Sequence, residues 1–266
     1  MLTVGPYSFT DTDVARTLAN AGEWWRQLTV GVDDTAARPI GQALAARWAA
    51  LDGRDLPQGA MVDAVLGGLA GRLTLDPSGV AGPAGRGGQA LSAFWAAITA
   101  AGAALRASGA VPVSGGGRVT QLNASGGGVP KTPIEAADVD FGGVIGDRQG
   151  NRTHHGRPWQ ALCLWSGEVI SGFAAQGHPL TAGAAGENIT TDGLDWQKMR
   201  AGLRLRIGTV LAETTAWAVP CHHNARWFTD GDFDLMHHEN GAMSRIYAFV
   251  VEPGRITAGD PLHLEP

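Results

Sequence analysis

Apolar positions in the first part of the chain recur at helical intervals. Val14, Leu18, Ala21, Trp25 and Leu28 follow a 4-3-4-3 spacing, which puts them on one face of a helix. Thr10 and Asp11 precede this stripe as cap residues. Further stripes run through Leu44, Trp48 and Leu51, through Val62, Leu66, Leu69 and Leu73, and through Leu91, Trp95, Ile98 and Leu105. Proline and glycine interrupt the pattern near Pro57, Pro77 and Pro83. Residues 11 to about 106 therefore predict four amphipathic helices packed as a small bundle.

The period changes after residues 108–117, a stretch containing Gly115-Gly116-Gly117 that reads as a linker. Residues 118–123 alternate in polarity, and residues 161–165 and 246–251 are short apolar runs. Leu203, Leu205 and Ile207 alternate with Arg204 and Arg206, and Gly208 turns the chain into residues 209–214, a hairpin signature. Pro253-Gly254 marks another turn, and Ile256, Leu262 and Leu264 supply the closing strand positions. Short helices are expected at 167–176 and 195–200. Many short strands with glycine-rich turns predict a barrel or sandwich. The expected class is α+β: an all-α helical domain over residues 1–110, then a β-rich domain with short helices over residues 118–266.

Composition narrows the function classes. With 266 residues the chain has room for two domains, and 44% hydrophobic with 17% charged residues describes a soluble globular protein. A net charge of −5 argues against a nucleic-acid surface. No apolar run approaches the roughly 18 residues of a membrane span, and Met1-Leu2-Thr3-Val4-Gly5-Pro6 lacks the basic and apolar regions of a secretory leader. The expectation is a cytoplasmic protein, monomer or homodimer, without membrane or nucleic-acid partners. Two cysteines make no disulfide framework.

Chemically capable side chains are unevenly spread. All eight histidines and both cysteines follow the linker. The helical half has no His, Cys or Lys, and its Asp11, Asp13, Asp33, Asp34 and Asp63 read as caps and solvated faces. Trp24-Trp25 reads as core plus rim.

Four polar blocks interrupt the strand signals. The densest is Pro220-Cys221-His222-His223-Asn224-Ala225-Arg226, which follows an apolar run over 210–219. A thiolate is a nucleophile and a soft metal ligand, so Cys221 is the candidate reactive atom; a buried inert cysteine is the alternative. In Gly126-Gly127-Gly128-Val129-Pro130-Lys131, glycines let backbone N–H groups approach an anion and Lys131 adds a point charge. Only two of the 20 basic residues are lysines, which makes Lys131 stand out, although a flexible loop with a surface lysine has the same pattern. The Gly-Lys-Ser/Thr of a P-loop is missing.

In Gly146-Asp147-Arg148-Gln149 followed by His154-His155-Gly156, Arg148 suits a bidentate grip on phosphate, or Asp147 simply closes a turn. In Gly183-Ala184-Ala185-Gly186-Glu187-Asn188-Ile189-Thr190, the carboxylate and amide either hold a ligand or brace a loop. Cys221, His222, His223, His237 and His238 carry zinc-capable atoms, but no metal-binding spacing accompanies them. A serine hydrolase elbow is absent, and a Cys–His nucleophile pair stays conceivable.

Taken in order, these blocks resemble the MOSC family, the domain named after the C-terminal part of molybdenum cofactor sulfurase. The likeness rests on Gly127-Gly128-Val129-Pro130-Lys131, Gly146-Asp147-Arg148 with His154-His155-Gly156, Gly186-Glu187-Asn188-Ile189-Thr190 and Pro220-Cys221, with Gly259-Asp260 before the last strand. It covers about residues 118–266. It implies a β-rich barrel that binds the molybdenum cofactor (molybdopterin), with Cys221 as metal ligand and catalytic residue. It also implies that Lys131, Arg148, His155, Asn188 and Arg226 line the anionic cofactor's pocket. His222-His223 and Arg157 depart from the family pattern.

The function it implies is an oxidoreductase reducing small N-hydroxylated compounds with electrons from a separate donor protein, since the chain has no flavin, nicotinamide or iron–sulfur motif. The alternative is a sulfur carrier or cofactor-handling protein with Cys221 as a persulfide.

Overall fold

The computed structural model describes residues 2–4, 7–9, 99, 102–103, 105–150, 155 and 158–266. The helical stripes expected between residues 11 and 98, and the Trp24-Trp25 pair, lie outside them. The chain divides into two compact units, Met1–Ala110 and Val111–Pro266. In the first, β1 (Leu2–Val4) and β2 (Tyr7–Phe9) form an antiparallel pair with Thr3 opposite Ser8, and residues 105–107 are helical. At three residues each, these strands are too short to show a period-two signal.

The second unit is built on β3 (Gly116–Ala124), β4 (Thr132–Ile134), β5 (Ala136–Asp140), β6 (Gly143–Val144), β7 (Leu162–Ser166), α1 (Gly167–Ala175), β8 (Ile189–Asp192), β9 (Arg204–Ile207), β10 (Val210–Trp217), β11 (Ile246–Glu252), β12 (Gly254–Thr257) and β13 (Pro261–Glu265). Seven strands close a ring in the order β3-β13-β9-β10-β11-β7-β8 and back to β3. β3 can serve both β13 and β4 on one edge because it is long: residues 116–118 pair with β13 and residues 122–124 with β4. β12, β5 and β6 make a smaller sheet.

Within the ring β7 and β8 are parallel, with Leu164 opposite Ile189. A parallel pair needs a crossover rather than a tight turn, and α1 lies in it. Ser166 starts the helix by accepting from Val169 N at 3.1 Å, and Ile170 and Phe173 are its buried face. β7 and β10 are buried at every position, consistent with cover on both faces. β9 instead alternates, with Leu205 and Ile207 buried and Arg204 and Arg206 partly exposed.

The hairpin expected over 203–214 is β9–β10, with Val210 opposite Ile207. The helix expected at 195–200 is a single 3-10 turn, Trp196–Lys198. β4, β5, β6 and β8 were not anticipated from the hydrophobic pattern. β8 is Ile-Thr-Thr-Asp, and its buried hydroxyls are satisfied locally, Thr190 Oγ1 reaching Glu187 Oε1 at 3.3 Å and Thr191 Oγ1 the Trp165 carbonyl at 3.4 Å. Among the described residues no helix is long and apolar enough to cross a membrane, which leaves membrane crossing by strands untouched.

Candidate functional site

The site grows from one face of the β8–β7–β11 surface. Cys163 on β7 stands opposite Tyr247 on β11. Side chains alternate along a strand, so Arg245 lies on the same side as Tyr247, while the fully buried Leu164 and Ile246 point the other way. Loops carrying the polar blocks fold over this face. They enclose a cavity of about 360 Å³ whose lining includes Lys131, Arg148, His155, Cys163, Asn188, Cys221, His223, Arg245 and Tyr247. No Asp or Glu is among the described lining residues.

Cys221 reaches the cavity because β10 ends just before it. The β10–β11 register shifts between Thr214 and Trp217, Ala218 N then donates to the Arg245 carbonyl at 2.8 Å, and Pro220 has no N–H to extend the ladder. Cys221 is exposed and heads a 3-10 turn, with Asn224 N donating to its carbonyl at 2.8 Å. The rings of His222 and His223 lie 4.0 Å apart, and only His223 lines the cavity.

Asp147 is the organising residue that the sequence reading left as a turn former. Its side chain is 2% exposed. Oδ1 accepts from Ser125 N at 2.8 Å, and Oδ2 accepts from Asn188 Nδ2 at 3.0 Å and from the Lys131 ammonium. One carboxylate thus ties the glycine-rich loop, the loop before Arg148 and the start of β8 together. Asn188 completes the join, its Oδ1 accepting from Cys163 N at 3.3 Å.

Lys131 therefore lines the cavity with its charge already met by Asp147. Arg148 lines it too, held by its backbone N donating to the Ser125 carbonyl at 2.8 Å. His155 Nδ1 lies 3.0 Å from the Tyr247 hydroxyl, which pairs two lining side chains. Arg226 departs from expectation. It is not among the lining residues; its guanidinium donates to the Val129 carbonyl at 2.6 Å and packs 4.9 Å over the Trp227 ring. It fastens the glycine-rich loop to the Cys221 turn from outside. His154 and Arg157 lie outside the described residues.

Gly183 explains why its block begins with glycine. Its φ is +83°, and a Cβ there would sit 2.6 Å from the Lys131 carbonyl. That close approach lets Lys131 N donate to the Gly183 carbonyl at 2.9 Å, and Gly183 N to Glu187 Oε1 at 2.5 Å. Glu187 is a loop brace behind the cavity, fully buried, and its Oε2 has no hydrogen-bond partner among the described residues.

Burial raises the Glu187 pKa against the opposing pull of its hydrogen bonds and of Arg245. A carboxyl that holds its proton more tightly when folded stabilises the fold below the ordinary glutamate pKa, and that contribution is lost as pH rises through the raised value. Glu187→Gln should remove this decline. Urea denaturation across the acid-to-neutral range is the check: parallel pH profiles for the two proteins would show that Glu187 does not titrate differently on folding.

Cys163 was read as a strand residue. It is one, at 5% exposure, but its position on the cavity-facing side of β7 also makes it part of the lining. Burial pushes its thiol up to about 11, with Arg245 pulling the other way, so it stays protonated at neutral pH. The five zinc-capable residues do not converge. Among the described residues His237, His238 and Glu239 bring ligand atoms within 4.8 Å of one another, and Cys221 is not with them.

The model of the MOSC domain family matches residues 151–263. Protein YiiM of Escherichia coli (strain K12) is 31% identical over 130 residues, covering 46% of this chain and 56% of its own length. YflK of Bacillus subtilis (strain 168) is 27% identical over 139 residues, covering 52% of this chain and 62% of its own. The chain thus spans only part of the length of these curated relatives. Among solved structures, YiiM from Geobacillus stearothermophilus gives a TM-score of 0.46 at 24% identity, covering 56% of this chain and 75% of that one. The YUAD protein of Bacillus subtilis gives 0.48 at 16% identity, covering 57% and 96%.

Proposed function

We propose that residues 151–263, which match the model of the MOSC domain family, form a MOSC domain of the kind associated with molybdenum-cofactor binding, that the cavity takes that cofactor against Cys221 and that the protein reduces N-hydroxylated small molecules. One observation carries the reading. An exposed thiol opens onto a cavity lined by Lys131, Arg148 and Arg245, with no carboxylate in the described lining. A soft metal ligand beside guanidinium groups, in a described lining without carboxylates, suits a metal centre on an anionic, phosphate-bearing scaffold.

In this reading the Cys221 sulfur ligates the metal. Arg148 grips the phosphate, and Lys131 with Asn188, both fixed by Asp147, shape the wall around the pterin. The cofactor supplies the two-electron redox centre when bound. Reducing an N–OH to N–H takes two electrons and two protons and releases water, with the electrons coming from a separate redox protein. His155 and Tyr247, 3.0 Å apart on the cavity wall, are placed to hold and pass a proton to the departing hydroxyl.

The exposure of Cys221 favours a second reading as well. A persulfide formed there would be within reach of a partner, as a sulfur carrier or cofactor-handling protein requires. Metal analysis and fluorescence of released pterin, on protein made in a cofactor-competent host, separate the two. The first reading expects stoichiometric molybdenum and pterin. Protein that carries sulfane sulfur on Cys221 and no molybdenum would replace it with the second.

A further inference from the structure

We infer that Arg245 forms an oxyanion site in the wall of the cavity, built to take a phosphate or carboxylate group. It rests on the proposed function only for the source of that group. Arg245 was not singled out by the sequence blocks, yet it is 6% exposed and lines the cavity. One terminal nitrogen, Nη1, donates to the Ala185 carbonyl, while Nε has no hydrogen-bond partner among the described residues. No described carboxylate pairs with it. Glu187 is the acidic group that acts on it electrostatically, and burial favours the protonated, uncharged form of that carboxyl. A buried guanidinium with an unmet donor and no carboxylate in hydrogen-bond contact is unfavourable, and an oxyanion supplies an acceptor and a negative charge in a two-pronged contact.

The position is fixed rather than incidental. Trp165 Nε1 donates to the Met243 carbonyl at 3.0 Å, and Trp196 Nε1 to the Ser244 carbonyl at 3.1 Å. Ser244 Oγ donates to the Ala218 carbonyl at 2.6 Å, and Ala218 N returns to the Arg245 carbonyl at 2.8 Å. The backbone on both sides is therefore pinned before any ligand arrives, so little ordering cost falls on binding. The other cations in the lining differ from Arg245. Lys131 is paired with Asp147, and Arg148 sits on a loop, whereas Arg245 adjoins a strand, is buried and has no carboxylate in ion-pair contact among the described residues.

The test uses inorganic phosphate on the full chain made without cofactor, followed by calorimetry. Wild type should bind phosphate saturably. Arg245→Met should weaken binding tenfold or more, and Arg245→Lys should keep part of it. Wild type without saturable binding, or a folded Arg245→Met with unchanged affinity, overturns the inference. If the methionine variant does not fold, the 15N-arginine side-chain spectrum of wild type decides. A solvent-protected Nε–H signal that moves with the calorimetric saturation supports the site, and arginine signals unmoved by phosphate overturn it.

Protein loaded in a cofactor-competent host identifies the source. If the cofactor's phosphate occupies Arg245, the loaded protein no longer takes up added phosphate. If the oxyanion belongs to the substrate, the loaded protein binds phosphate as the cofactor-free chain does. Both outcomes support the site. Absence of molybdenum after that preparation would sink the cofactor reading and leave the phosphate result standing.

Discussion

Cys221→Ala should yield a folded protein that no longer retains molybdenum or reduces an N-hydroxylated substrate. A methyl group cannot replace a thiolate ligand. The fold should tolerate the change, because Cys221 is exposed, lies outside the strands and makes no side-chain cap bond in its turn. Cys163→Ala is the matched control, and the structure makes it a sharper one than the sequence did. Its sulfur also faces the cavity, so proximity alone does not separate the two thiols. Burial does: Cys221 is exposed, whereas burial pushes the Cys163 thiol up to about 11, which opposes forming the thiolate that a metal ligand needs. Molybdenum content and circular dichroism of both variants provide the check. Loss of metal in Cys163→Ala with retention in Cys221→Ala would reassign the ligand.

Asp147→Ala should be the most destabilising single polar substitution around the cavity. The side chains of Lys131 and Asp147 are 8% and 2% exposed, and Asp147 accepts from Lys131, Asn188 and the backbone of Ser125. Removing the carboxylate strands a buried ammonium and two other donors. Breaking a buried pair from one side costs about 3–5 kcal/mol, which lowers Tm by roughly 10 °C for a domain of this size. Replacing both partners, Lys131→Met with Asp147→Leu, should recover much of the loss in stability without restoring the cofactor binding proposed for the cavity. Thermal melts and urea titrations read this out. A drop of under about 1 kcal/mol for Asp147→Ala, the range of an exposed pair, would show that water reaches the ion pair and that the three segments are held by other contacts.

Much of the fold was written in local pattern. The β9–β10 hairpin follows from alternation across Gly208, and α1 from an apolar face behind a serine cap. β7 and β11 follow from apolar runs whose burial on both faces needs no alternation. β8 was not legible, because its threonines bury hydroxyls that only neighbouring strands and Glu187 satisfy. Short strands such as β4 and β6 are selected by pairing with β3 and β5 rather than by their own residues.

The site divides the same way. The sequence by itself determined which residue types were available: one thiol after a proline at a strand end, a lysine behind glycines, an arginine after Asp147, and an asparagine after Glu187. Those are properties of composition and order, and a family resemblance can rest on them. Only the tertiary structure decided what each does. It drew Lys131, Asp147 and Asn188 into one buried cluster and turned Arg226 outward to the Val129 carbonyl. It also brought Cys163 and Arg245 into the cavity by strand register. The physical reason is that a charge's role depends on the counter-charge and burial around it, and both come from residues far away in sequence. Lys131 meets Asp147 in a buried pair, whereas the Arg245 guanidinium donates to the Ala185 carbonyl and no described carboxylate lies in ion-pair contact with it.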